Sequence, residues 1–222
     1  LVSYSQNSFK VTYGILFQGE FLSEKAKQNT DLAEGLNGIE NYMSKYEFTL
    51  NYNNGKAIYE VIPVLNINNE YTLSEQTAMI FIDFEKKFYN DVDSVATIVN
   101  QNIDNKKYNV ISSQKYDNWN LTTESKIIDN YTCYKATSKI RNVNIEAWYC
   151  PEIPVSLGPN EFKGLPGLIL ELSRGKLKYI TKSITLDSKE HIELPKGKLI
   201  TEDEFNKILD NSSNNIFKKK IN

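Results

Sequence analysis

Several residue types on which enzymes commonly rely are scarce. The 222 residues include one histidine, His191, and two cysteines, Cys133 and Cys150. Zinc sites built from several Cys or His ligands are therefore excluded, and little room is left for histidine-based catalysis. His191 lies in the polar run SKEHIEL with no nucleophile-elbow motif, so it reads as a surface or strand-edge residue. Arginine is also rare, with only Arg141 and Arg174, and 26 Lys+Arg against 28 Asp+Glu leave a net charge of −2. No basic field exists to hold nucleic acid or anionic lipid. No apolar run approaches the roughly 18 residues that a membrane-crossing helix needs, so a soluble chain without a transmembrane segment is expected. A Cys-x-x-Cys motif is missing, and NIDNKKYN lacks the calcium-loop spacing. Neither metal nor cofactor is expected. Asp91-Val92-Asp93-Ser94 follows no clean apolar strand and reads as a turn or helix start.

Hydrophobic residues make up 40% of the chain and aromatics 12%. A chain of this length buries about 70% of its unfolded surface. With no internal repeat and no break in composition, residues 1–222 read as a single domain. SFKVTYGILFQGEF alternates as a strand or strand pair, and Leu32, Leu36, Ile39, Met43 and Tyr46 then recur at helical spacing behind Thr30 or Asp31 as N-cap. Two strand-like runs flank Asn53-Asn54-Gly55, a hairpin signal. SEQTAMIFIDFEKKFYNDV is ambiguous between a helix capped by Ser74 and a bulged strand. Strands resume from Tyr108, GLILEL and KLKYITKSITL form a pair turning at Arg174-Gly175, and Thr201 with Glu204 makes a capping box before Phe205. The tail from about 211 to 222 reads as frayed. The expected class is α+β: a predominantly antiparallel sheet, curved or half-barrel, with a few packed helices. Asparagine is frequent, as in NYNN and NINN, which reads either as a codon bias or as a polar binding surface.

The cysteines flank a hairpin pattern, NYTCYKATSKI and VNIEAWYC. A connection from Ile140 to Val143 sets Lys139 opposite Asn144, Thr137 opposite Glu146, Lys135 opposite Trp148 and Cys133 opposite Cys150. Opposed Cβ atoms lie about 4.5 to 5.5 Å apart, close to disulfide geometry. A bridge there adds on the order of 3 kcal/mol and implies an oxidising compartment. The alternative is two buried, unpaired thiols in a reducing one.

Pro151, Pro154, Pro159 and Pro166 crowd one loop with Gly158, Gly164 and Gly167. Such a loop is stiff and loses little entropy on binding. Leu165-Pro166-Gly167-Leu168 suits a type II turn. Trp148 and Lys135 on the hairpin, with Phe162, Leu165 and Pro166 in the loop, are the candidate binding residues. Trp148 is either part of an aromatic patch or packed beneath the loop.

The runs NWNLTTESKIIDNYTCYKATS and IEAWYCPEIPVSLGPNEFKGLPGLILEL, and more loosely KYEFTLNYNN, resemble the GLPGLI family of Bacteroidota. Its name is spelled here by Gly164, Leu165, Pro166, Gly167, Leu168 and Ile169. The resemblance implies a secreted or periplasmic protein whose signal peptide is removed before Leu1. It implies no established catalytic residues and a fold resembling the half-barrel sheets of lipoprotein-carrier-like proteins. The expected function is that of an exported, non-enzymatic envelope protein. It would bind a partner, such as an outer-membrane protein, a peptide or a small apolar ligand, through a sheet face and the stiff loop. The alternative is a hydrolase using two of Glu146, Glu152, Glu161 and Glu171 as general acid and base.

Overall fold

In the computed structural model the chain is described over residues 7–18, 38–63, 71–91, 94, 96–116 and 118–221, with side chains to Ser212. The strands are β1 (Ser8–Phe17), β2 (Glu47–Asn53), β3 (Lys56–Val61), β4 (Lys87–Asp91), β5 (Ile98–Ile103), β6 (Lys106–Ile111), β7 (Asn120–Ile128), β8 (Tyr131–Ile140), β9 (Val143–Cys150), β10 (Leu168–Arg174), β11 (Leu177–Leu186) and β12 (Lys198–Thr201). The helices are α1, described over 38–43, α2 (Leu73–Phe81) and α3 (Glu202–Ile221).

All twelve strands form one open sheet in the order β12-β6-β5-β4-β3-β2-β1-β11-β10-β9-β8-β7. Two antiparallel meanders, β1–β6 and β7–β11, meet where β1 pairs with β11, and β12 joins β6 in parallel. The α+β expectation is therefore corrected: the fold is mainly β and half-barrel-like. The ambiguous stretch supplies one nine-residue helix, a turn over residues 82–85 and then strand β4. That helix is capped by Thr72 rather than Ser74, because Thr72 and Glu75 exchange the two bonds of a capping box. The expected first helix is helical where described, with Ile39, Met43 and Tyr46 buried, whereas Thr30, Asp31, Leu32 and Leu36 fall outside the described residues. At the other end α3 runs to Ile221, through the tail from about 211.

Four hairpins turn through two residues that both have positive φ: Asn54-Gly55, Asp104-Asn105, Asp129-Asn130 and Arg141-Asn142. This is the I′ pattern whose twist matches paired strands, and asparagine tolerates its left-handed conformation better than most side chains. Asn160 is left-handed as well. Others are buried structural links: Asn100 Nδ2 donates to Asn109 Oδ1 at 2.7 Å and to the Lys196 carbonyl at 3.0 Å. At these positions the asparagine excess has a backbone or core reason, distinct from codon bias and from surface binding.

The register expected for the cysteine hairpin is the one observed, with Lys135 opposite Trp148, Thr137 opposite Glu146 and Lys139 opposite Asn144. Cys133 and Cys150 are both fully buried and within hydrogen-bonding reach of each other, but they are free thiols rather than a bridge. The hydrogen bond between them raises the Cys133 thiol and holds Cys150 below the ordinary thiol value.

Between β9 and β10 the Pro/Gly loop turns back over the sheet and becomes core. Ile153, Val155, Leu157, Phe162 and Leu165 are buried in the same cluster as Phe9, Tyr13, Leu50 and Phe88 from β1, β2 and β4. Tyr13 Oη in β1 donates to the Ile169 carbonyl at 2.7 Å, Asn160 Nδ2 to Tyr179 Oη in β11 at 3.0 Å, and Lys163 Nζ to Asn90 Oδ1 in β4 at 3.3 Å. Backbone bonds from Leu168 N to the Ile153 carbonyl and from Ile169 N to the Leu157 carbonyl fold the loop onto its own strand. The expected type II turn is replaced by a three-residue turn about Pro166, in which Gly167 N donates to the Leu165 carbonyl at 2.8 Å. Leu168 N is thereby left for Ile153. The segment from Ser112 to Trp119, which carries the chain from β6 to β7, packs on this loop: the indole Nε1 of Trp119 donates to the Lys163 carbonyl at 2.8 Å.

Candidate functional site

Burial separates the candidate binding residues. Phe162 and Leu165 are 4% and 2% exposed, so both are packed into the fold, and Phe162 alone of the two also lines a cleft described below. Pro166 is exposed. Leu168 and Ile169 are wholly buried. In the same hexapeptide, a Cβ on Gly164, at φ +93°, would lie 2.2 Å from the Tyr116 carbonyl oxygen, and one on Gly167 would lie 2.2 Å from that of Cys150. The motif is thus a set of close approaches that seat the loop.

Trp148 and Lys135 lie elsewhere, on the outer face of β7–β11. Lys126 Nζ stands 4.3 Å from the Trp148 ring centroid and Lys135 Nζ 5.9 Å from it. Lys135 reaches Glu124 at 3.3 Å and Glu146 at 3.1 Å, while Lys126 and Lys178 both meet Glu171, at 2.6 and 2.9 Å. The indole Nε1 donates to Glu146 at 3.1 Å. Charge is balanced within this ladder, and Trp148 is neither beneath the loop nor an open aromatic patch. Glu152 accepts from the Thr132 backbone N–H at 2.9 Å. Glu146, Glu152 and Glu171 are therefore spread over the outer face and the hairpin end. His191 is exposed and meets Glu193 at 2.8 Å.

The remaining glutamate, Glu161, enters a different setting. It lines a cleft of about 510 Å³ at one end of the half-barrel. Strands β4–β6 contribute Phe88, Val99 and Val110, while the crossing segment adds Ser112 and Tyr116 and the loop adds Asn160 and Phe162. The α3 helix supplies Glu202, Phe205 and Asn206. From the adjacent tips of the β8–β9 and β10–β11 hairpins come Arg141 and Arg174, the only arginines in the chain. Strands far apart in the sheet order share this cleft because the sheet curls.

Hydrogen bonds already engage both of the cleft's glutamates. Ser112 Oγ donates to Glu161 at 2.6 Å, and Tyr116 also bonds to it. Burial, followed by the charge of Glu161, pushes the Tyr116 hydroxyl well above its usual range, so it remains a protonated donor. Glu202 accepts from the hydroxyl and the backbone N–H of Ser113, the latter at 3.0 Å; these bonds, with help from Arg141, hold its carboxyl below the usual range. Lys86 and Asp83 at the rim pair with each other at 2.7 Å. Sequence reasoning passed over this cleft, although the rarity of arginine and its placement at two neighbouring hairpin tips were visible.

Residues 138–171 match a family model. It is described as "Protein of unknown function (Porph_ging)", a family associated with Bacteroidota. The matched stretch runs from β8 through the plugging loop into β10, so it includes the hexapeptide. Among curated proteins none matches the chain. The fold is similar to that of PNGF-II in its C2 crystal form, with a TM-score of 0.62 and 13% identity over 92% of this chain. In the P21 form the TM-score is 0.63, again at 13% identity, over 93% of this chain. The chain spans 33% to 34% of the PNGF-II chain, about a third of its length. At that identity the likeness speaks for the fold alone.

Proposed function

We propose that this is an exported, non-enzymatic binding protein of the cell envelope, of the GLPGLI type, which holds its ligand or partner at the end cleft. The carrying observation is the filling of the half-barrel by the Pro/Gly loop. The loop sets its own apolar side chains against the sheet, whereas the cleft is open and framed by segments fixed to one another by hydrogen bonds. Of the glutamates flanking the loop only Glu161 reaches that cleft, and it and the cleft's other glutamate, Glu202, are already held by Ser112, Tyr116 and Ser113, which counts against a free general acid and base. Export is supported by the facing thiols. A thiol pair already aligned across two strands forms a bridge in an oxidising compartment with little rearrangement.

The test has two arms. In thermal-shift measurements against a panel of peptides and sugars, a ligand should raise the midpoint of the wild type but not that of Asn206→Trp, which fills the cleft from an exposed helix position. Mass spectrometry of the incubated ligands should find no cleavage. A product that forms with the wild type and disappears with Glu161→Gln would overturn the non-enzymatic reading. For export, thiol counting on protein taken from its native compartment should find both cysteines blocked by oxidation.

A further inference from the structure

The ligand class follows from what the cleft leaves unsatisfied, and this inference rests on the binding reading above. Acidic groups lining the cleft are already engaged: Glu161 by Ser112 and Tyr116, Glu202 by Ser113, and Asp83 by Lys86. The two guanidiniums are not. Among the described residues neither Arg141 nor Arg174 makes a hydrogen bond or a close ion pair, although Arg141 is near enough to Glu202 to help lower its carboxyl. Each offers five N–H donors in a planar fork that matches a carboxylate bidentately. The fold brings both to the same cleft from neighbouring hairpins: Arg174 ends β10 opposite Ile145, four residues beyond Arg141, and Gly175 N donates to the Asn144 carbonyl at 3.2 Å.

A second observation points the same way from the cleft floor. Three buried side-chain oxygens among the described residues lack a partner, those of Asn51, Tyr59 and Asn160, and of these residues only Asn160 lines the cleft. Its Nδ2 is committed to Tyr179, so Oδ1 is an acceptor awaiting an N–H or O–H. Around it, Phe88, Val99, Ile145 and Phe162 make an apolar floor. A carboxylate for the arginines, an N–H for Asn160 and an aliphatic side chain for the floor together describe one kind of molecule. We infer that the cleft takes the C-terminal end of a peptide, with its terminal carboxylate between Arg141 and Arg174. A uronic acid would supply the carboxylate but would set hydroxyls against the apolar floor.

Isothermal titration of the full chain with acetyl-Ala-Leu-Ala, with its C-terminal amide and with galacturonate decides the point. The free acid should bind at least tenfold more tightly than the amide, more weakly at 500 mM than at 50 mM salt, and more tightly than galacturonate. Arg141→Gln and Arg174→Gln lie at exposed hairpin tips, so the thermal midpoint should hold while the preference for acid over amide disappears. Equal binding of acid and amide would overturn the carboxylate assignment and leave the binding cleft standing. Binding of galacturonate but of neither peptide would overturn the peptide. If none of the three binds, the inference fails, while the binding reading is judged separately by the panel and Asn206→Trp. The acid–amide comparison uses only the wild type and so stands even if a variant fails to fold.

Discussion

Gly164 illustrates how a single missing Cβ can be structural. Alanine there would meet the Tyr116 carbonyl and adopt a left-handed φ, so Gly164→Ala should cost about 2 kcal/mol or more in urea unfolding. At Gly14 the nearest atom is the flexible end of Lys182, and Gly14→Ala should be nearly neutral in the same assay. Asn142 tests the turn account: valine at its left-handed φ of 65° should cost about 1 to 2 kcal/mol, and glycine only a few tenths. Glu202 carries a pH dependence. Because Ser113 holds its carboxyl below the ordinary 4.5, its stabilisation is present above that value and is lost as the pH falls through the depressed one. Glu202→Gln should therefore flatten part of the decline in thermal midpoint below about pH 4.5. At this scale the turn and core roles of asparagines such as Asn142 and Asn100 are not legible, since composition does not show φ. The hairpin register was legible because strict alternation and a two-residue turn leave few other pairings.

Among the elements, α3 depends on its N-terminal box. Thr201 N meets Glu204 at 2.8 Å and Glu204 N returns to Thr201 at 3.2 Å, so Thr201→Ala should cost about 1 kcal/mol. Since α3 brings Glu202 and Phe205 to the cleft, hydrogen exchange at 202–209 should rise with the same substitution. That box was readable from four residues, whereas the Thr72 box was displaced by two positions because Ser74 is an equally good cap by composition. The Pro/Gly loop reads from composition as a stiff binding loop, although its burial leaves a trace: Ile153, Val155 and Leu157 alternate with exposed Pro154 and Ser156 like a strand. The prolines hid that period, because they argue against pairing while saying nothing against burial.

For the molecule as a whole, a sheet that curls without closing must fill its own concavity or expose it. This chain fills it with a loop whose stiffness now serves packing, and binding is displaced to the end where two hairpins, α3 and the crossing segment meet. Neither the curl nor the cleft could be read locally, since both arise from pairing β1 with β11 across the length of the chain. Hydrogen exchange over residues 151–169 bears on this most directly. Amides of Leu168 and Ile169, bonded back to Ile153 and Leu157, should exchange as slowly as those in β9, and far more slowly than the exposed stretch 189–191. Exchange of Leu168 and Ile169 within seconds, at the pace of that exposed stretch, would mean that the loop stands off the sheet and that the half-barrel is open after all.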